Sequence, residues 1–290
     1  MKIKLVVVIV TLALGSCSTK TQQKESPGNA SEEHLKLPAI FEVNNFSISM
    51  NEEFTELYTT SVDAHGDMTI LWAQKKNELW GLLKPISFSD HEYNDIDPFL
   101  SRDGQKLYFI SNRPNEMFEN DDAIWVSSRE QDGWGTPKLL SKNLNFEGNE
   151  GFPSVANNGN IYFPMVINDN RDIYVSHLIN DEYQTPVPLS DAINSTAADS
   201  NPAISGDEQF LVFYSAREGG FGETDLYFSR KENNKWTPAI NLGEEVNSKH
   251  IEYCPYITHD NKHLLFTRWN RENNIRYLVQ FRLDTFINNL

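Results

Sequence analysis

Cysteine, basic charge and long apolar runs are all scarce in this chain of 290 residues. With only two cysteines, the fold cannot rest on a framework of disulfides. Acidic residues outnumber Lys and Arg by 41 to 25, so the formal net charge is −16. Nucleic acid is therefore excluded as a partner, because binding it needs clustered cations. Beyond the N-terminal region, no apolar run is long enough to span a bilayer.

The N-terminal residues have the pattern of an export signal. Two lysines precede an apolar run over residues 5–14, which is too short for a permanent membrane span. A Leu-Gly-Ser step then leads into Cys17. This step resembles the lipobox of bacterial lipoproteins, which implies cleavage before Cys17 and a lipid, palmitate included, on the new N-terminal cysteine. An ordinary signal peptide that contains a cysteine is the alternative. We expect a lipoprotein signal peptide over residues 1–16.

Residues 17–36 form a polar stretch without hydrophobic periodicity, which is typical of a flexible tether. The lipid on Cys17 is then the only expected contact with the membrane, and Cys254 is left without a disulfide partner. Ser18, rather than Asp, follows the cysteine. For a bacterial lipoprotein this implies a place in the cell envelope, at the outer membrane and facing the periplasm.

Five copies of a unit of about fifty residues fill residues 37–290. They begin near residues 46, 98, 153, 202 and 255, and each has an apolar residue, a small residue and an Asp or Asn turn at matched offsets. Each unit contains three β-rich runs, and a proline-containing edge segment completes the first four units. Four antiparallel strands at this period predict an all-β fold, a single five-bladed β-propeller.

The last unit ends after its third strand, so one strand is missing from its blade. Residues 37–40 read Leu-Pro-Ala-Ile and match the Thr-Pro-Ala-Ile of residues 237–240, which lie in a fourth strand. We predict that residues 37–43 complete the last blade and so remove an exposed sheet edge.

Two stretches show the repeat most clearly, DPFLSRDGQKLYFISNR at residues 97–113 and NPAISGDEQFLVFYSAREGGFGETDLYFS at residues 201–229. They resemble the WD40-like β-propeller repeat of the TolB type, over residues 46–284. TolB-type domains usually have six blades, whereas this chain has five units. The resemblance implies a periplasmic or surface location and the binding of a protein or glycan.

An acidic residue lies three positions before the start of four units, and Val43 takes this place in the first unit. Because neighbouring strands run in opposite directions, these acids share a rim with the arginines that end the second strands. The acids are Asp95, Glu150, Asp199 and Glu252, and the arginines are Arg113, Arg217 and Arg268.

Three interpretations of this rim stay open. The acids can form structural ion pairs with the arginines, or cap backbone N–H groups within and between blades. They can also hold a cation or a polar ligand at the mouth of the channel, since carboxylates are hard oxygen ligands. Finally, two of them can act as acid and base in glycoside hydrolysis, as in five-bladed enzymes. The equivalence of the four positions favours the structural interpretation.

Other catalytic and metal-binding patterns are not supported. His259 and His263 fall on a predicted turn and strand, which argues against zinc, and no Ser-His-Asp arrangement is recognisable. We therefore predict no metal and no cofactor. The leading hypothesis is a non-enzymatic, monomeric envelope lipoprotein that binds a protein or glycan through an acidic loop face. The alternative is an extracytoplasmic glycan hydrolase that uses the carboxylates of the channel mouth.

Overall fold

A computed structural model of the chain describes residues 45–89, 92–117, 121–146 and 150–290. Five antiparallel sheets, one from each repeat, are arranged as a five-bladed β-propeller, which confirms the predicted fold class. A single short helix, α1 (Leu283–Ile287), is found in these ranges. None of the helical structure described there is long and apolar enough to cross a membrane.

The strands follow one another blade by blade. The first blade contains β1 (Asn45–Met50), β2 (Glu56–Val62), β3 (Met68–Lys76), β4 (Leu79–Trp80) and β5 (Lys84–Pro85). The second contains β6 (Asp95–Leu100), β7 (Lys106–Ser111), β8 (Ala123–Glu130), β9 (Gly133–Trp134) and β10 (Lys138–Leu139). The third contains β11 (Ser154–Val155), β12 (Ile161–Ile167), β13 (Asn170–Ser176), β14 (Leu178–Ile179), β15 (Glu182–Tyr183) and β16 (Val187–Pro188).

The last two blades follow the same order. The fourth contains β17 (Asp199–Ile204), β18 (Phe210–Ser215), β19 (Asp225–Glu232), β20 (Lys235–Trp236) and β21 (Ile240–Asn241). The fifth contains β22 (Ile251–Ile257), β23 (His263–Asn270) and β24 (Ile275–Arg282), and α1 follows it. The predicted strand over residues 37–43 lies outside the described residues. Within the described residues, β24 is the last strand of the fifth sheet.

The predicted fourth strand consists of two short pieces in each of the first four blades. In the fourth blade, β20 pairs with the end of β19 and β21 pairs with its middle. Pro238 lies in the break and has no N–H to donate to a ladder. The hydroxyl of Ser229 in β19 instead donates to the carbonyl of Thr237, at 2.6 Å. The proline thus ends one piece, and a side chain holds the break against the sheet.

A bulge interrupts the first strand of the first, second, fourth and fifth blades, near the start of the repeat. In β6 the pairing moves from Ile96 with Ile110 to Phe99 with Tyr108, so two residues face one. The missing N–H of Pro98 therefore leaves no ladder hydrogen bond unmade. In every blade the residue at this place has a positive φ; these residues are Ser47, Asp97, Phe152, Asn201 and Cys254.

The bulge corrects the sequence alignment of the first unit. Its positive φ falls at Ser47, so Ile48 rather than Phe46 corresponds to Pro98. The unit was aligned two residues too early because no proline marks its start. The counterpart of the acidic position is accordingly Asn45, the first residue of β1, and not Val43.

Among the described residues, the hydrophobic core consists of five clusters, and each lies between two neighbouring blades. The cluster between the fifth and first blades joins Tyr256 and Leu265 to Met50 and Leu57. The Tyr256 hydroxyl also donates to the carbonyl of Met50, at 2.9 Å. Side chains of the first and last repeats therefore close the ring, which buries apolar surface all the way round.

The alternation of strands gives the propeller two faces. The loops between second and third strands and the segments between blades form what we call the connection face. The hairpin turns between first and second strands, and those between third and fourth strands, form the turn face. The first strands line the central channel between the two faces.

Candidate functional site

The four predicted acids lie at the connection face, where the first strands begin. Asp95 and Asp199 are the first residues of β6 and β17, Glu252 is the second residue of β22, and Glu150 precedes β11. All four side chains are buried, with at most 7 % of Glu150 exposed. A buried carboxylate needs hydrogen bonds and an opposite charge to remain ionised, so their partners decide what they do.

Three of the acids are bound by the arginine of their own blade. In each pair a guanidinium nitrogen lies within hydrogen-bonding distance of a carboxylate oxygen: Arg113 Nη2 to Asp95 Oδ1 at 2.6 Å, Arg217 Nη2 to Asp199 Oδ1 at 2.7 Å, and Arg268 Nε to Glu252 Oε1 at 2.6 Å. Charge-assisted bonds of this kind are short and strong, and breaking one of them leaves a buried charge without compensation.

Aromatic rings flank these guanidinium groups. The Arg217 guanidinium lies 4.6 Å from the ring centre of Tyr227 and 5.5 Å from that of Phe213. Its Nε donates to the Ser215 hydroxyl at 2.7 Å. The same serine bond, at 3.0 Å, and two aromatic rings at the equivalent positions surround Arg113 in the second blade. The ion pair is thus part of a repeated cage of acid, serine and aromatic residues.

The acids also hold the segments that join the blades. Asp199 accepts hydrogen bonds from the N–H of Ser195 and from its hydroxyl, the latter at 2.7 Å. Glu252 makes the same pair of contacts with Ser248. Arg217 reaches further along the connection and donates to the carbonyl of Ile193, at 2.6 Å. Each ion pair therefore fixes the entry of the chain into its blade.

An asparagine in each of these segments, buried in the case of Asn145 and Asn247, was not singled out from the sequence. Asn247 accepts a hydrogen bond from the N–H of Leu226 at 2.7 Å and donates to its carbonyl at 2.9 Å. Asn145 and Asn194 accept the corresponding N–H of their own third strands. All three stand eight positions before the proline of the next unit, and this spacing is the signal that could have identified them.

Glu150 has no such arginine. Its Oε1 accepts the N–H of Phe146 at 2.6 Å, which matches the capping contact in the other blades. Its Oε2 is buried and has no hydrogen-bond partner within the described residues. In those ranges Glu150 also forms no ion pair with a Lys or Arg. The third blade thus keeps the cap and lacks the opposite charge.

The pKa values at this part of the rim reflect burial among like charges. Burial raises the pKa of Glu150 to about 8. The hydrogen bond from the Phe146 N–H lowers this pKa, and repulsion from Asp121 and Asp122 raises it further. Burial likewise raises the pKa of Asp97, the bulge residue of β6, to about 7. Burial raises the pKa of Glu252 as well, although its bonds from Ser248 and Arg268 oppose the shift. Glu150 is therefore protonated over much of the neutral range.

The central channel contains a second set of polar groups. A cavity of about 380 Å³, its open mouth included, is lined by the first strands and by Arg102 and His259 of the turn face. Arg102 Nη1 donates to the carbonyl of His259 at 3.0 Å, across the mouth. Burial and the neighbouring Arg102 lower the pKa of His259 to about 4, so the ring is neutral. Arg102 thus closes this end of the channel.

Exposed acids outnumber exposed bases on both faces of the propeller. On the connection face, exposed acids surround the rim, and three of the exposed bases are engaged by acids: Lys142 with Glu116, Lys249 with Glu272, and Arg271 with Glu223. The other exposed acids there are Asp63, Asp67, Glu92, Asp122, Asp169, Asp191, Glu218, Glu244 and Glu245. Arg171 is a fourth exposed base on the connection face. On the turn face, exposed acids also outnumber the exposed bases, which are Lys76, Lys106, Lys235 and Lys262. Both faces therefore carry a negative field, and the connection face adds the buried Glu150, whose Oε2 has no hydrogen-bond partner within the described residues.

The arrangement limits the chemistry of the rim. Within residues 45–89, 92–117, 121–146 and 150–290, no three His, Cys, Asp or Glu side chains converge as metal ligands. Asp95, Asp199 and Glu252 are engaged by guanidinium groups and by capping bonds. Of the four predicted acids, Glu150 alone has an oxygen atom without a hydrogen-bond partner in the described part of the chain. A single carboxylate oxygen can anchor a ligand but does not make a metal centre.

Comparisons with known proteins show likeness at the level of the fold. No family model matches the chain, and no curated protein matches it in sequence. Among solved structures, a putative TolB from Agrobacterium tumefaciens is 15% identical, with a TM-score of 0.53 over 79% of this chain and 71% of that one. A TolB from Acinetobacter baumannii is 9% identical, with a TM-score of 0.51 over 82% of this chain. This chain spans 55% of the length of that TolB.

A thermostable family-43 glycoside hydrolase is also similar. It is 14% identical, with a TM-score of 0.56 over 85% of this chain and 91% of that one. Identities this low show a shared fold alone. The chain has a five-bladed β-propeller fold, similar to TolB-like proteins on one side and to a glycoside hydrolase on the other.

Proposed function

We propose that this protein is a non-enzymatic cell-envelope lipoprotein whose β-propeller binds a protein or glycan partner through the connection face. The observation that carries this proposal is the acidic connection face around the buried Glu150. Exposed acids surround the rim there, and the Oε2 atom of Glu150 has no hydrogen-bond partner within the described residues. A face of one sign steers an oppositely charged or polar partner and selects against others.

The structural use of the rim acids supports a scaffold. Three of the four acids are bound by arginines and hold the entries into their blades, so they serve the fold. Because the ion pair stabilises the blade, the sequence of the neighbouring loops can change without loss of the blade structure. Similarity to TolB-like propellers is consistent with protein binding in general.

The binding face is tested by capture of partners from solubilised native envelope. The bait is the mature chain, and its variant carries Glu218→Gln, Glu244→Gln and Glu245→Gln on the connection face. The matched control carries Asp132→Asn, Asp181→Asn and Glu182→Gln at the turn face; all six residues are exposed. We expect the first variant to lose about tenfold in capture and the control to retain it, with binding that weakens as salt rises. Equal capture by both variants contradicts the proposal.

The membrane anchor is a separate part of the proposal, since Cys17 lies outside the described residues. We propose that a lipid on Cys17 holds the protein at the outer membrane, facing the periplasm, with the polar residues after it as a tether. Metabolic labelling with palmitate should mark the wild type and a Cys254→Ala control but not Cys17→Ala. Label that persists in Cys17→Ala contradicts the anchor.

Glycan hydrolysis is the second candidate, and one observation favours it. A general acid must be protonated at working pH, and the raised pKa of Glu150 satisfies this condition. The reaction also needs a second, ionised carboxylate across the scissile bond. Asp95, Asp199 and Glu252 are held by arginines instead. Turnover of polysaccharides or aryl glycosides that disappears in Glu150→Gln would establish the enzyme and refute the scaffold.

A further inference from the structure

The third blade keeps most of the cage that surrounds an arginine in its neighbours. Glu150 occupies the acidic position and accepts the capping N–H of Phe146. Phe163 pairs with Tyr174 across β12 and β13, as Phe213 pairs with Tyr227 in the fourth blade. Those two rings of the fourth blade flank the guanidinium of its arginine. The acid and the aromatic pair are therefore both present in the third blade.

The cation of the cage is what the third blade lacks. Four positions after the strand phenylalanine, Arg113 and Arg217 are replaced by Ile167, which is 44 % exposed at the rim. The serine that binds the arginine Nε is replaced by Met165, which is buried. A methionine side chain is flexible and can rearrange around an incoming group. The blade thus supplies a carboxylate and apolar walls without an arginine at this position, and its exposed Arg171 forms no ion pair with Glu150.

The surroundings of Glu150 favour a cation that comes from outside. Its Oε2 is buried without a hydrogen-bond partner in the described ranges, and more than nine-tenths of the residue is shielded from solvent. Asp121 and Asp122 lie close enough to raise its pKa, so the local field is negative. A carboxylate in this environment gains from a cation more than an exposed one does.

A side-chain cation fits this place better than a metal ion. Calcium requires six to eight oxygen ligands, and no such group of side chains converges in the described part of the chain. A single carboxylate beside two aromatic rings is what a guanidinium or ammonium group binds, through a charge-assisted bond and ring contacts. Arg113 and Arg217 provide this arrangement within the same molecule, and Arg268 provides it with a single ring, Phe266.

We propose that Glu150 is the contact point for an Arg or Lys side chain of a protein partner, which takes the position beside this carboxylate that Arg113, Arg217 and Arg268 take beside theirs. This inference rests on the proposed binding function and deepens it, because it identifies the partner as a protein with a basic segment. The exposed acids of the connection face attract that segment, and Glu150 receives one of its side chains. A glycan without positive charge does not satisfy this site.

The test uses a short oligo-arginine peptide as probe and the mature protein as receptor. Ile167→Arg supplies the cation within the chain. Glu150→Gln removes the carboxyl group that receives it, which a bound cation converts to its ionised form. Ile167→Gln and Asp169→Asn are the matched controls, the second removing an exposed acid from the neighbouring hairpin. Calorimetric titration gives the dissociation constant of each variant, and a thermal melt reports the stability of each.

We expect Glu150→Gln and Ile167→Arg each to weaken peptide binding by about tenfold, with changes below about twofold in the two controls. Ile167→Arg should also melt at a higher temperature than Ile167→Gln, because it completes the ion pair. Wild-type affinity in Glu150→Gln overturns the inference, since the peptide then binds the acidic surface without this residue. The inference is also overturned, in favour of a metal site, if calcium alone raises the melting temperature of the wild type but not that of Glu150→Gln.

The inference and the proposed function fail in different ways. The inference alone is refuted if Glu150→Gln binds the peptide with wild-type affinity while the connection-face variant loses partner capture. The proposed function is then still supported. Partner capture that survives in the connection-face variant refutes the proposed function, whatever the peptide does.

Discussion

The third and fourth blades follow the same plan and differ at one charge. In the fourth, Asp199 caps the connection before the blade and is bound by Arg217. In the third, Glu150 caps the connection in the same way, and Ile167 stands where the arginine would be. The comparison separates two roles of the repeated acid. Its capping bond serves the fold in both blades, whereas its charge is balanced within the chain in one of them only.

The difference teaches where a repeat protein can carry a specific function. A blade whose acid, arginine and connection are mutually satisfied has no group left to bind a partner. A blade that lacks the arginine retains its shape, because the cap and the apolar clusters between blades remain. It then contains a buried acid whose state depends on pH and on what approaches it. Four predictions test this comparison.

The largest effect is expected for the paired acid of the fourth blade. Asp199→Asn removes the charge that balances Arg217 and weakens the capping bonds to Ser195. Breaking a buried ion pair by removing one partner typically costs about 3 kcal/mol or more. Chemical denaturation should show a fall of that order in the free energy of unfolding. A loss below about 1 kcal/mol would mean that the pair behaves as a surface ion pair.

In mildly alkaline solution, Glu150→Gln should raise the free energy of unfolding, whereas Asp199→Asn lowers it. The pKa of Glu150 is raised to about 8 in the folded chain, so the folded state holds a proton that the unfolded state releases. Stability should therefore fall as pH rises from about 5 to about 8, by an amount on the order of a few kcal/mol. The variant has no such charge and should be more stable than the wild type near the upper end of this range.

The pH dependence of the two proteins provides the control. Asp97, with a pKa raised to about 7, contributes a smaller decline in the same direction, and Glu150→Gln should retain it. Identical slopes of unfolding free energy against pH in the two proteins would show that Glu150 is already compensated.

A third prediction concerns a loss of stability of intermediate size, which should be the same for the connections before the third and the fifth blades. Asn145 precedes the third blade and Asn247 the fifth, and each accepts a buried N–H of a third strand. Substituting either by Ala leaves that N–H without a partner, which costs about 2 kcal/mol. Denaturation of the two variants should give similar losses. A much smaller loss for Asn145→Ala would mean that the third blade differs in its connection as well as in its charge.

The smallest effect is expected for the exposed acids of the connection face. Glu244→Gln and Glu245→Gln should each change the free energy of unfolding by less than about 0.5 kcal/mol, since both side chains are exposed. Thermal melts at matched salt check this. A larger loss would show that capture experiments with these variants report stability rather than binding.

Much of the fold could be predicted from the sequence because each blade repeats its turns and strands at fixed offsets. The acid positions were found in the same way, and their place beside the arginines followed from the alternation of strands. The register of the first unit was missed because its bulge, at Ser47, is followed by Ile48 instead of proline. A bulge changes the pairing without changing composition, so only the backbone reveals it there.

Other parts of the site depend on contacts between distant residues. Arg102 reaches His259 across the channel, a contact that no local pattern predicts. The broken fourth strand could have been expected from Pro238 and its counterparts, since proline cannot donate to a ladder. The buried state of Glu150 depends on the packing of the residues around it, whereas its missing arginine was visible in the sequence.

The central claim is that Glu150 is a buried carboxylate without a counter-charge in its own blade. Its pKa can be measured by carbon-detected NMR titration of labelled glutamate, with Glu150→Gln identifying the resonance. The account predicts titration near the value of about 8 in the wild type, and a pKa well below that in Ile167→Arg. Titration of the wild-type resonance in the ordinary range of an exposed glutamate would contradict it.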